Sequence, residues 1–154
     1  MRENVTLTTL SRYFHTGVLH HRQERRGARQ LLESYLVAPP EPDRPFAELS
    51  GGNQQKALVA KWFQVDPRVL LLHEPTQGVD VGARKQIFER IRDFAQAGGA
   101  VLIASVEYED LAHLCDRVIV FRNGRAQSEL SKPHLSEEVI VEHCFRTGSL
   151  VPGG

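Results

Sequence analysis

Apolar positions along this chain follow two kinds of pattern. Spacings of three and four residues predict amphipathic helices, and short continuous runs predict strands buried on both faces. Residues 1–38 read as helical, with turns near Gly17 and Gly27; Leu31, Leu32, Tyr35 and Leu36 share one side. Pro39, Pro40, Pro42 and Pro45 then break the helix, because proline lacks an N–H and collides with the preceding turn. A second helix is expected over 52–64. Asp66-Pro67 makes a turn, and the run Val69-Leu70-Leu71-Leu72 predicts a strand covered on both faces. The clearest amphipathic helix spans 83–96, with Ile87, Phe88, Ile91, Phe94 and Ala95 on one stripe and Gly98-Gly99 ending it. A second buried strand is expected over 100–105, a short helix over 108–114 and a third strand over 117–121. Asn123-Gly124 is a hairpin turn, returning the chain antiparallel over 125–130. Ser136 caps a last helix with Glu138 and Val139 in its first turn, and 148–154 reads as a loose tail.

Buried strands alternating with amphipathic helices predict an α/β fold with a mainly parallel sheet. Ligands of such sheets sit at the carboxyl ends of the strands. That directs attention to His73 and Glu74 after one strand, and to Ser105, Val106 and Glu107 after the next.

Composition narrows the class of protein. Hydrophobic residues make up 41% and charged residues 25% of 154, which suits a globular domain and excludes wholesale disorder. The 19 basic and 19 acidic side chains cancel, so the surplus of positive charge that a nucleic-acid binder needs is missing, and no nucleic-acid partner is expected. Arg12, Arg22, Arg25, Arg26 and Arg29 cluster with His15, His20 and His21; a solvated helix face explains them most simply, and no metal site is assigned there. Cys115 and Cys144 have no paired spacing and read as reduced thiols. No stretch approaches the roughly 20 apolar residues that span a bilayer. A cytoplasmic location follows as the expectation.

Three segments carry chemistry. Leu49-Ser50-Gly51-Gly52-Asn53-Gln54-Gln55-Lys56 opens a helix with a serine and two glycines. A helix start binds phosphate through its unpaired N–H groups and its dipole, and glycine permits close approach of the backbone. Taken alone, the same residues read as an ordinary serine cap. The run ending in His73-Glu74-Pro75-Thr76 delivers a carboxylate, Glu74, at a strand end, where a general base would polarise a water. In Gln77-Gly78-Val79-Asp80, the aspartate would cap the following helix.

In this order, the three segments resemble the ATP-binding cassette (ABC) transporter ATPases. LSGGNQQK is similar to the signature motif, the strand ending at Glu74 to Walker B, and Gln77–Asp80 to the D-loop. The NQQK and GVDVGA continuations resemble the second nucleotide-binding domain of ribose-, galactose- or xylose-type carbohydrate importers, over about residues 1–145. The resemblance implies a partial P-loop NTPase: a helical subdomain over 1–64 ending in the signature, the C-terminal part of the ATPase core over 65–147, and the tail. It also implies the cofactors ATP and Mg²⁺. Leu49, Ser50, Gly51, Gly52 and Gln54 would contact nucleotide held by a partner nucleotide-binding domain. Glu74 would orient the attacking water, and Asp80 would couple the two sites. Membrane-spanning permease subunits, and indirectly a periplasmic sugar-binding protein, would complete the system on the inner face of the membrane.

Three departures from the family pattern bear on activity. His73 stands where Walker B has its Mg²⁺-holding aspartate, and magnesium prefers oxygen ligands. Val106 occupies the switch-histidine position, beside Glu107, and valine cannot hydrogen-bond a phosphate. The sequence contains no G-x-x-x-x-G-K-[ST] loop. The expectation is an energy-coupling ATPase component of a sugar importer, present as a fragment without Walker A that by itself neither binds nor hydrolyses ATP appreciably. The alternative is a degenerate cassette piece that only docks on a partner domain. A DNA-repair or chromosome-structure ATPase shares the motifs, but would bring heptads or zinc modules that this sequence lacks. Exposed apolar sheet surface is expected wherever strands are missing.

Overall fold

The computed structural model describes residues 1–145; the tail expected over 148–154 lies outside the described residues. The chain divides into two compact units, Met1–Leu102 and the part from Ile103 onward.

The first unit begins with α1 (Arg2–Thr6), a 3₁₀ stretch (Leu7–Tyr13) and a small antiparallel hairpin of β1 (Phe14–His15) and β2 (Val18–Leu19). Thr16 and Gly17 turn this hairpin with positive φ, so the expected turn near Gly17 is there, flanked by strands rather than by helices. Next come α2 (His21–Ser34), the proline-rich connection, a 3₁₀ turn (Phe46–Glu48) and α3 (Gly51–Phe63). The expected turn at Gly27 does not form: Gly27 lies inside α2. Its missing side chain makes room for Tyr13, whose ring and hydroxyl an added β-carbon would overlap. This glycine therefore serves close packing, not a bend.

Val5, Ala28, Leu32, Val37, Leu49 and Ala57 form the buried core of this part, with Leu31, Tyr35 and Phe46 packed on it. Glu24 is buried with them, 2% exposed. Its carboxylate accepts a 2.7 Å hydrogen bond from Thr6 Oγ1 and faces Arg2 Nε at 3.4 Å and His21 Nδ1 at 3.5 Å. That set of partners is what a buried carboxylate requires.

β3 (Val69–His73), α4 (Val81–Gln96) and β4 (Ala100–Ala104) follow, with β3 and β4 hydrogen-bonded in one sheet. Ala83, Ile87 and Ile91 of α4 are buried, as the spacing predicts, whereas Ala95 is exposed. Gly98 ends α4 in the left-handed region, with its N–H on the Ala95 carbonyl at 3.0 Å and that of Gly99 on the Phe94 carbonyl at 3.1 Å. The two strands depart from the double-sided burial expected of them. Leu70 is buried, but Val69 and Leu71 are 57% and 74% exposed, and Leu102 is 64% exposed. Alternate residues point to opposite faces of a strand, and here only one face is covered. This agrees with the exposed apolar sheet surface expected from the sequence.

The second unit holds α5 (Tyr108–Leu114), the hairpin of β5 (Arg117–Arg122) and β6 (Arg125–Ser131), and α6 (Glu137–Phe145). Asn123 and Gly124, both at positive φ, make the hairpin turn as expected. Ser136 Oγ accepts from the Val139 N–H at 3.4 Å at the start of α6. Leu111, Val118 and Ile140 form the core of this unit.

Candidate functional site

The signature-like segment is held at its base and open at its start. Leu49 is buried in the core of the first unit, while Ser50 and Gly51 are exposed. Ser50 has extended backbone (φ −61°, ψ 154°) and is the N-cap of α3, and its carbonyl accepts the first helical bond from Gln54 N at 2.9 Å. The first N–H groups of a helix have no acceptor within it, so the start of this 13-residue helix is a focus of partial positive charge. The Gln54 side chain turns back under the preceding loop, donating to the Leu49 carbonyl at 3.0 Å and the Phe46 carbonyl at 3.4 Å.

The D-loop-like segment is built by two successive turns. β3 ends at the exposed His73, and Glu74, half-buried, takes a left-handed conformation (φ 47°). Left-handed backbone is costly for a residue with a β-carbon and tends to persist at sites where a side chain must be aimed. Gln77 N–H donates to the Glu74 carbonyl and Val79 N–H to the Thr76 carbonyl, both at 3.3 Å, and Gly78 turns at φ 69°. The chain thereby arrives at Asp80, which caps α4 and accepts from the Ala83 N–H at 2.9 Å. The Ala83 hydrogen bond, with that of Gly82 and the nearby Lys56 charge, holds the Asp80 carboxyl below the ordinary aspartate range. Burial lowers the Lys56 ammonium and Asp80 partly offsets this.

These two segments pack directly on each other. A β-carbon on Gly51 would stand 3.1 Å from the Gly78 carbonyl oxygen, and one on Gly52 would stand 3.2 Å from both Ala83 Cβ and Asp80 Oδ2. The glycines were expected to serve approach of an anion. In the folded chain they also let the D-loop-like segment approach the helix start, and Gly51, of the two, stays exposed.

Sequence reasoning gave no role to Asn53, yet its side chain bridges two groups at the site. Asn53 Nδ2 donates to Ser50 Oγ at 2.9 Å, and Asn53 Oδ1 accepts from the Ala38 N–H at 2.9 Å. Lys56 Nζ donates to the neighbouring Leu36 carbonyl. An asparagine three residues after a helix-opening serine was the available signal.

At the end of β3, Glu74 offers carboxylate oxygens that suit magnesium, but His73 does not. His73 presents a ring nitrogen where the ion requires oxygen. Ser105, Val106 and Glu107 lie in the second unit, where Val106 is 68% exposed and Glu107 opens α5, its N–H donating to Ser105 Oγ at 3.1 Å.

Comparison with known proteins follows the same lines. No protein-family model matches the chain. An ATP-binding protein of Agrobacterium fabrum, named for ribose/galactose/methyl galactoside import, is 40% identical over 141 residues, 92% of this chain and 28% of that protein. Ribose import ATP-binding protein RbsA 2 of Rhizobium meliloti is 42% identical over 139 residues, 90% of this chain and 27% of that protein. The chain thus spans little more than a quarter of the length of these relatives. Among solved structures, the ATP-binding cassette MJ0796 in a dimeric post-hydrolysis state bound to ADP and Pi superimposes with a TM-score of 0.70 at 21% identity, over 84% of this chain and 55% of that one. The ATP-binding subunit of an ABC transporter gives 0.67 at 20% identity, over 96% and 57%. The fold is therefore that of an α/β ATP-binding cassette, present in part.

Proposed function

Because the chain belongs to the ATP-binding cassette ATPases of the ribose and galactose import kind, we propose that it supplies the signature half of a composite ATP site in a sugar importer. In this reading, Ser50 and the first N–H groups of α3 receive the terminal phosphate of an ATP molecule held by the phosphate loop of a partner cassette. Leu49 and Gln54 anchor the segment from behind. Asp80 and Gly52 join it to the D-loop, so that a change at one segment is felt at the other. Glu74, aimed by its left-handed backbone, is the group that orients an attacking water. Phosphoryl transfer needs just such positioning and charge stabilisation from its protein.

The observation that carries this reading is the exposed Ser50–Gly51 start of α3 packed on the segment that ends at Asp80, the cap of α4. No step is assigned to Mg²⁺ at this chain's own strand end, since His73 does not suit it. ATP binding in the assembly, association with a second cassette and with membrane permease subunits, and a place on the cytoplasmic face belong to the same proposal. Among the described residues, no helix is long and apolar enough to cross a membrane.

The test combines this chain with a cassette that carries a phosphate loop, and measures phosphate release. Stimulation by the chain, lost on Ser50→Arg, is the expected result. A chain that binds the cassette without changing phosphate release would instead favour the docking-only reading, for which His73 is the specific observation. In that case His73→Asp would be the informative second variant.

A further inference from the structure

The Ser50 hydroxyl occupies an unusual position for a helix N-cap. A capping serine ordinarily accepts from an N–H in the first turn. Ser50 makes no such side-chain bond. Its oxygen instead accepts from the side-chain amide of Asn53 at 2.9 Å. That amide cannot turn over without loss, because its other end, Oδ1, accepts from the Ala38 N–H at 2.9 Å. If the amide were reversed, Oδ1 would face the hydroxyl and Nδ2 would face another donor.

A hydroxyl has one proton to give and two lone pairs to receive. With Asn53 donating to one lone pair, the Ser50 proton is not used within this cluster and is available to an acceptor in front of the helix. We propose that Asn53 is a positioning residue for the composite site: it fixes Ser50 Oγ as an acceptor toward the protein, and so as a donor toward a phosphate oxygen. The connection after α2 takes part through Ala38, so the orientation of a signature serine is set partly by a loop outside the motif. This inference rests on the composite-site reading above, and adds to it the group that decides which way the serine proton points.

Asp in place of Asn reverses the polarity. A carboxylate at residue 53 accepts the Ser50 proton, turning the hydroxyl inward, and sets a negative charge beside the incoming phosphate. It also remains a favourable residue in the first turn of a helix, so the fold is retained. The experiment compares Ser50→Ala, Asn53→Ala, Asn53→Asp and the Ser50→Ala/Asn53→Ala pair in the chain combined with its phosphate-loop cassette. Phosphate release and ATP-dependent association of the two proteins, the latter by light scattering, are both read.

A hydrogen bond to a charged acceptor corresponds to about 10-fold or more. Ser50→Ala is expected to lower both readings by about that factor. Asn53→Asp is expected to match or exceed it with the melting temperature unchanged within about 2 °C. Asn53→Ala is expected to cost several-fold alone and nothing further when Ser50 is already alanine. Ser50→Ala without effect overturns the composite-site reading and this inference with it. Ser50→Ala effective but Asn53→Asp silent, or the two alanine effects simply multiplying, overturns this inference alone.

Discussion

Gly52, one residue into α3, and Asp80, the cap of α4, meet so closely that a β-carbon on Gly52 would stand 3.2 Å from Asp80 Oδ2. The same carbon would stand 3.2 Å from Ala83 Cβ. Neither neighbour is free to retreat: Ala83 is buried in α4, and the Asp80 carboxylate is tied to the Ala83 N–H.

Gly52→Ala therefore sets two effects against each other. Alanine favours the helix by up to about 1 kcal/mol, while overpacking a fixed contact costs about 1–3 kcal/mol. The contact wins, and a net loss of about 1 kcal/mol is expected in urea unfolding. Ala83→Gly in the same chain should recover part of it, with a coupling of at least about 0.5 kcal/mol. Simple additivity would mean that the two segments do not press on each other.

The Asp80 cap predicts a dependence on acid. Its folded carboxyl titrates below the ordinary range, chiefly through the Ala83 hydrogen bond. The stabilisation it gives is therefore complete above the unfolded value of about 3.9 and is lost as pH falls through the lower, folded value. Asp80→Asn keeps a capping oxygen without the charge. The stability difference between wild type and Asp80→Asn should be constant from neutral pH down to about pH 4 and close below it. Denaturant melts at a series of pH values read this directly, and a gap that widens in acid would contradict the assignment.

Glu24 predicts a larger loss. Removing one partner of a buried ion pair leaves the others unsatisfied, and costs about 3–5 kcal/mol when both are buried. Arg2 keeps 24% of its side chain exposed, so the expected loss for Glu24→Ala lies nearer about 2–3 kcal/mol. Glu24→Gln, which retains an acceptor for Thr6, should lose less. Equal stability of wild type and Glu24→Ala would show that the Thr6, Arg2 and His21 contacts add nothing.

The open face of the sheet predicts binding of an apolar dye to the 154-residue chain. Leu71 and Leu102, 74% and 64% exposed, are the main contributors on β3 and β4. Leu71→Thr with Leu102→Thr should lower dye fluorescence and raise solubility without lowering the melting temperature, because neither side chain is packed. A fall in melting temperature of several degrees would place them in a core instead.

The helices and turns were legible in sequence wherever a local cause sufficed. Asn123-Gly124 turns because both residues accept positive φ, α4 ends where Gly98 permits a left-handed residue, and Ser136 begins α6. The order of the signature-like, Walker B-like and D-loop-like segments was equally legible, since each is a contiguous run of residues. Gly27 was misread because a glycine that admits Tyr13 looks the same in sequence as one that ends a helix. The burial of β3 was misread because an apolar run reports what a strand would bury, not whether anything covers it.

Sequence alone thus determined most of the elements from Gly51 onward and their order, and which side chains stand at Ser50, Glu74 and Asp80. Those follow from backbone preference and from side-chain identity, both local properties. Tertiary structure alone decided that Gly51 and Gly52 lie against the Gly78–Ala83 stretch, that Asn53 joins Ala38 to Ser50, and that Leu71 is uncovered. Each of these is a meeting, or a failure to meet, of segments 15 to about 30 residues apart in the chain, and spacing within a segment carries no record of it.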